Sequence, residues 1–251
     1  MQNKKLLLGI VTVFTVTFFS LQIFNQEILA GIVRGLILPV LIYLYCSVSK
    51  ERSSFFFWFL VCYAVSEFLG MFEYYAADYL WVDNARYYGG NIMYISAYMF
   101  LILEIIRSMN LKTVFGRYAI HFIILLALDI YCVVLVSQIS YSSENFLQEL
   151  PDIIIEVIYN IVIMLLLTFA LINYISKDSK KAMNLLLGSI CFVISEVVQV
   201  AYFYVDDDMN ILGVVYTFML IVAFIFLYIQ SGMSYETEEL EKFKHLEQIN
   251  A

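Results

Sequence analysis

Eight apolar runs divide this chain, each near the ~20 residues that a bilayer's hydrocarbon core requires of a helix. They cover about 6–24, 28–48, 54–75, 87–106, 118–139, 152–175, 182–204 and 209–230. With 63% hydrophobic residues, 14% charged and a mean hydropathy of +0.84, a soluble domain has too little interior to hide them. Two prolines and ten glycines leave little room for irregular structure. The first run is too long for a signal-peptide core and lacks a convincing cleavage site, so it counts as a helix. The expected fold class is therefore all-α integral membrane, an eight-helix transmembrane bundle over residues 1–233. A short, polar, helical tail follows over 234–251.

Basic residues orient the bundle. Alternate connections fall into two sets. The N-terminus, 50–52, 107–117, 177–181 and the tail hold twelve of the 14 Lys and Arg. The opposite connections hold only Arg86, and Arg34 lies inside the second run. The positive-inside rule places both termini in the cytoplasm, and the expected compartment is a bacterial inner membrane. The net charge of −8 comes mostly from loops and the tail and gives no reason to expect nucleic acid as a partner.

One stretch occurs twice. Residues 62–75 and 191–204 align Cys62 with Cys191, Ser66 with Ser195, Glu67 with Glu196 and Tyr75 with Tyr204. The third and seventh helices carrying them run in the same direction. Ser49-Lys50-Glu51 and Ser176-Lys177-Asp178 end the second and sixth helices, and Asn91 and Asn210 come early in the fourth and eighth. This pattern reads as a 4+4 parallel repeat about an axis along the membrane normal. Chance similarity between apolar helices is the competing explanation.

Charges inside apolar runs are costly and mark functional sites by default. Glu67 and Glu196 both lie roughly 20 Å from the cytoplasmic face at 1.5 Å per residue, and Arg34 roughly 9 Å in from the other side. Asn91, Tyr94, Glu156 and Asn160 occupy the same outer half, so one polar pocket would gather them. Arg34 suits a counter-charge to the glutamates or a bidentate phosphate clamp, or it simply snorkels to headgroups. The glutamates equally suit hydrogen-bonded glue between helices. Asp129 has no counterpart in the other half and reads as a packing partner. Gly31 and Gly35 form a GxxxG spacing that permits close helix approach.

Other chemistry is not visible. The four cysteines lie in apolar runs and read as core residues, and His121 and His245 have no ligand-like spacing, so no metal is expected. There is no Gly-rich phosphate loop, no serine nucleophile elbow and no cofactor motif.

The helix-two pattern Arg34-Gly-Leu-Ile-Leu-Pro39, the Ser66-Glu67 pair, Gly90 with Tyr94 and Tyr98 four and eight residues on, and Phe192-Val-Ile-Ser195-Glu196 have a shared order and spacing. In these features the chain resembles the lysoplasmalogenase (YhhN-type) family of eight-helix membrane proteins. The likeness is distant and covers most of the chain. That family has Lys where this chain has Arg34, Asp at both glutamate positions, and His at Tyr98.

The resemblance implies hydrolysis of the vinyl-ether bond of a lysophospholipid, releasing a fatty aldehyde and a glycerophospho-headgroup. It implies Glu67 and Glu196 as catalytic carboxyls and Arg34, Tyr94 and Tyr98 as substrate-binding residues, with no cofactor; Asn91 joins the substrate-binding set from its place in the outer-half pocket. Two carboxyls close together in low dielectric share a proton, so one serves as general acid and the other as base or stabiliser. Which takes which role is open from sequence. Two rivals stand beside this reading: a non-catalytic lipid-binding or sensing protein, and a small proton-coupled transporter using the glutamate pair.

Overall fold

The computed structural model describes residues 2–24, 26–48, 53–71, 80–140, 150–204 and 210–235. Among these, every regular element is a helix. In chain order they are α1 (Gln2–Ile23), α2 (Glu27–Val48), α3 (Ser54–Gly70), α4 (Leu80–Ser108), α5 (Leu111–Ser140), α6 (Leu150–Lys177), α7 (Lys180–Tyr204) and α8 (Asn210–Ser231). Six of them, α2 and α4–α8, are long and apolar enough to cross a membrane. The apolar stretches Gly9–Gln22 in α1 and Ser54–Gly70 in α3 are shorter. The chain is an all-α, multi-pass membrane bundle. The tail beyond Tyr235 and the acidic connections at 72–79, 141–149 and 205–209 lie outside the described residues, as do the paired turn at 49–51 and Tyr75.

Helix ends depart from the hydropathy pattern where polar turns extend a helix past its apolar run. α4 begins at Leu80, earlier than the expected Tyr87, because Asp83 and Arg86 form an i,i+3 ion pair of 2.9 Å along its first turns. α5 begins at Leu111, so Lys112 and Arg117 belong to a helix and not to a loop. Tyr118 breaks its geometry (φ −118°, ψ 20°), and the expected membrane segment starts at that kink. Between α6 and α7, Asp178 adopts a positive φ of 44°, a region open to Asp, and the Ser179 Oγ accepts the Ala182 N–H at 3.1 Å as an N-cap.

Neighbouring helices trace a ring. α1 packs on α2, α2 on α3, α3 on α4, α4 on α6, α6 on α7, α7 on α8, and α8 returns to α1. α5 stands outside it against α6 and α7, with Ile120, Ile123 and Ile130 turned away from the bundle. Those side chains would be a liability in water and are ordinary against lipid. Asp129 turns inward, where its Oδ2 accepts from the Thr168 hydroxyl at 2.7 Å, so it is a packing partner of α6.

Both halves repeat one internal contact. Ser66 of α3 donates to the Gly90 carbonyl of α4 at 2.7 Å, and Ser195 of α7 donates to the Tyr216 carbonyl of α8 at 2.8 Å. The asparagines do not correspond, however: Asn91 lies well inside α4, whereas Asn210 opens α8. The GxxxG spacing also plays a smaller part than expected. Gly31 faces open space, and Gly35 accommodates only the flexible Met71 side chain. The tight helix contact is at Gly188, where an added Cβ would sit 3.3 Å from the Ala223 carbonyl oxygen of α8.

Candidate functional site

Within the ring, α2, α3, α4, α6, α7 and α8 enclose a cavity of about 440 Å³. Its lining is polar for a membrane bundle: Arg34, Arg86, Tyr87, Asn91, Tyr94, Glu156, Tyr159, Asn160, Glu196, Gln199 and Tyr216 all contribute. That volume lies within the range of small-ligand pockets. Toward the Ser54, Ser108, Lys180 and Ser231 helix ends the bundle interior is filled by a layer of aromatic rings. Phe59, Tyr63, Tyr98, Phe192 and Phe224 meet there in edge-on and stacked contacts, and all five are buried.

The two matched glutamates occupy different surroundings. Glu67 Oε2 accepts from Arg34 Nε at 2.9 Å, and its Oε1 accepts from the Tyr94 hydroxyl at 2.7 Å. Arg34 Nη1 in turn donates to the Tyr216 hydroxyl at 2.7 Å, with the guanidinium carbon 5.6 Å from that ring's centre. No described residue accepts from Nη2, and Arg34 lines the cavity, so the guanidinium has donors left for an anion. Glu67 does not line the large cavity. It lies behind Arg34 in a separate apolar crevice with Ile37, Leu38 and Leu220.

Glu196 is buried and lines the large cavity directly. Its Oε1 accepts from the Tyr98 hydroxyl at 2.6 Å, and the Tyr159 hydroxyl lies near the same carboxyl. No described cation forms an ion pair with it. Tyr94 and Tyr98 stand one turn apart on α4 (i,i+4), so a single face of one helix gives each glutamate a phenol.

The expected site residues are thus brought to one region but not to one surface. Arg34, Asn91, Tyr94 and Glu196 line the cavity. Tyr98 is fully buried behind Glu196 and cannot touch a ligand in the cavity without moving. Asn91 donates to the Tyr87 carbonyl at 2.9 Å. Tyr216, Tyr87, Tyr159 and Gln199 line the cavity without having been singled out in the sequence. Gln199 had a readable signal, since it sits one turn beyond Glu196 on the same helix face. The tyrosines had none, being lost among the 20 of the chain.

Comparisons with known proteins add no relative. No protein-family model, no curated protein and no solved structure matches the chain.

Proposed function

We propose that this protein is a membrane-embedded ether-lipid hydrolase of the lysoplasmalogenase kind, with Glu196 as its general acid. The observation that carries this reading is the unequal setting of two matched carboxyls. One is neutralised by Arg34; the other borders a ligand-sized cavity with only phenols as partners. Carboxyl pairs whose environments differ in this way divide acid and electrostatic roles between them. In this reading Glu196 is the carboxyl that carries the proton, and a vinyl ether is opened by an acid strong enough to protonate carbon.

In this scheme Glu196 delivers its proton to the alkene carbon next to the chain, leaving an oxocarbenium ion. Water adds to that cation, and its surplus proton returns to the carboxylate. The resulting hemiacetal collapses to a fatty aldehyde and the alcohol of the glycerophospho-headgroup. Arg34, held in place by Glu67 and Tyr216, takes the phosphate through Nη2. Glu67 then serves as the residue that positions Arg34. Both termini lie in the cytoplasm of a bacterial inner membrane, which puts the cavity in the outer half of the bilayer.

The aromatic layer below the cavity favours an enzyme or binding protein over a transporter, because it bars a path toward the basic helix ends. The test uses purified protein in nanodiscs with a vinyl-ether lysolipid and its alkyl-ether analogue. Aldehyde release from the vinyl ether alone is expected. Tight binding of both lipids with no aldehyde would leave the non-catalytic lipid-binding reading.

A further inference from the structure

Glu196 stands at a border between two kinds of space. On one side is the polar cavity. On the other is a narrow apolar crevice, about 20 Å³, between α5, α6 and α7, lined by Val133, Val136, Met164 and Val193. Glu196, Asn160 and Val200 line both spaces, so the two adjoin at these three side chains. The outer wall of the crevice is α5, whose Ile130, Tyr131 and Val134 face away from the bundle toward lipid.

The internal repeat supplies a comparison within the same molecule. A second crevice, walled by α1, α2 and α8, holds Arg34, Ile37, Leu38 and Glu67. Asn160, Ile163, Met164 and Glu196 surround the first crevice, and the α6 residues have the same spacing as their counterparts in α2. In the α2 copy a guanidinium spans the mouth and binds the glutamate at 2.9 Å. In the α6 crevice Asn160 has the spacing to Ile163 and Met164 that Arg34 has to Ile37 and Leu38. It makes no hydrogen bond to a described residue, and no described cation pairs with Glu196. One crevice thus holds an ion pair, and the other has none among the described residues.

We infer that the α5–α6–α7 crevice is the chain subsite of this protein, seating the first carbons of a single hydrocarbon chain. The chain belongs to an amphiphile whose headgroup fills the polar cavity. The crevice is too small to swallow a chain whole. The first carbons beyond the headgroup pass Asn160 and Glu196, and the remainder runs out beneath α5 into the bilayer. The inference rests on the proposed hydrolase reading only in that it sets the scissile bond, which joins headgroup to chain, beside Glu196.

The test is photo-crosslinking in nanodiscs with a lysolipid that cannot be hydrolysed: an alkyl ether carrying a diazirine on the first carbons of its chain. Adducts are expected within 132–136 and 193–200. Asn160→Arg should lower them at least tenfold, since the new guanidinium would close on Glu196 as Arg34 closes on Glu67; Asn160→Gln should keep them within about twofold. Val133→Trp fills the crevice from α5 and should block labelling too, should the arginine variant not fold. Adducts near Val11, Leu38 or Ile221, none at all, or labelling unchanged in both blocking variants would overturn the inference. Because the probe is not cleaved, crevice adducts from a wild-type protein that releases no aldehyde would sink the hydrolase reading and leave the subsite standing.

Discussion

Arg34 and Glu67 should be energetically coupled, and a double-mutant cycle measures by how much. Glu67→Leu removes the carboxylate that accepts Arg34 Nε at 2.9 Å and the Tyr94 hydroxyl at 2.7 Å. Breaking a fully buried ion pair by removing one partner costs about 3–5 kcal/mol, because the other charge is left uncompensated. The Arg34 side chain is 22% exposed and borders a polar cavity, so the low end applies, about 3 kcal/mol. The orphaned Tyr94 hydroxyl adds about 1 kcal/mol. Arg34→Leu leaves a carboxylate only 3% exposed without its cation and should cost as much or more. In Arg34→Leu/Glu67→Leu no stranded charge remains, and the double loss should fall about 2–3 kcal/mol short of the sum of the singles. Glu67→Gln retains an acceptor for Arg34 Nε and a partner for Tyr94 but strands the same charge, and should cost about 1 kcal/mol less than Glu67→Leu. Reversible unfolding in mixed micelles reads all of these. Additive single losses would refute the claim that the charges are paired.

Other perturbations address the fold and the phenols separately. Gly188→Ala places a methyl 3.3 Å from the Ala223 carbonyl oxygen, which belongs to backbone and cannot swing aside; a loss of about 1–2 kcal/mol in thermal unfolding is expected. Tyr98→Phe removes the hydroxyl that donates to the Glu196 carboxyl at 2.6 Å and should destabilise by about 1–2 kcal/mol, more than Tyr94→Phe, because Glu67 keeps Arg34. Reporter fusions after Arg52, Arg117 and Lys181 should read cytoplasmic, and fusions near Asp83, Glu149 and Asp207 the opposite side. A reversal at one site would overturn the positive-inside assignment there.

The bundle was legible because bilayer thickness forces apolar runs of a set length, and each run became a helix. What hydropathy could not see were polar extensions such as Asp83–Arg86 at the start of α4, which are held by side-chain pairing rather than burial. The Ser66-Glu67 and Ser195-Glu196 pairs correspond in structure through their serines, each hydroxyl donating to a carbonyl of the next helix, whereas the carboxyls have different partners. Asn91 and Asn210 misled because one polar residue per helix has no such constraint. Glu67, Glu196 and Arg34 stood out as costly charges, but the partner of each was hidden. Arg34 and Glu67 lie on different helices, and nothing in their spacing decides which glutamate the guanidinium meets. Nor could α4's part in serving both carboxyls be read, since Tyr94 and Tyr98 look like any two tyrosines a turn apart until both acceptors are placed.

The central claim is that the matched glutamates do different work, and steady-state kinetics of Glu196→Gln and Glu67→Gln on a vinyl-ether lysolipid test it most directly. Glu196→Gln keeps shape and hydrogen bonding but has no proton to give, so kcat should fall by a factor of at least about 10² while lipid binding persists. Glu67→Gln loosens the residue that orients Arg34, so its effect should appear chiefly as a raised KM, with kcat falling far less. A Glu196→Gln protein that turns over vinyl ether at the wild-type rate, or a Glu67→Gln protein in which turnover alone is abolished, would contradict the account.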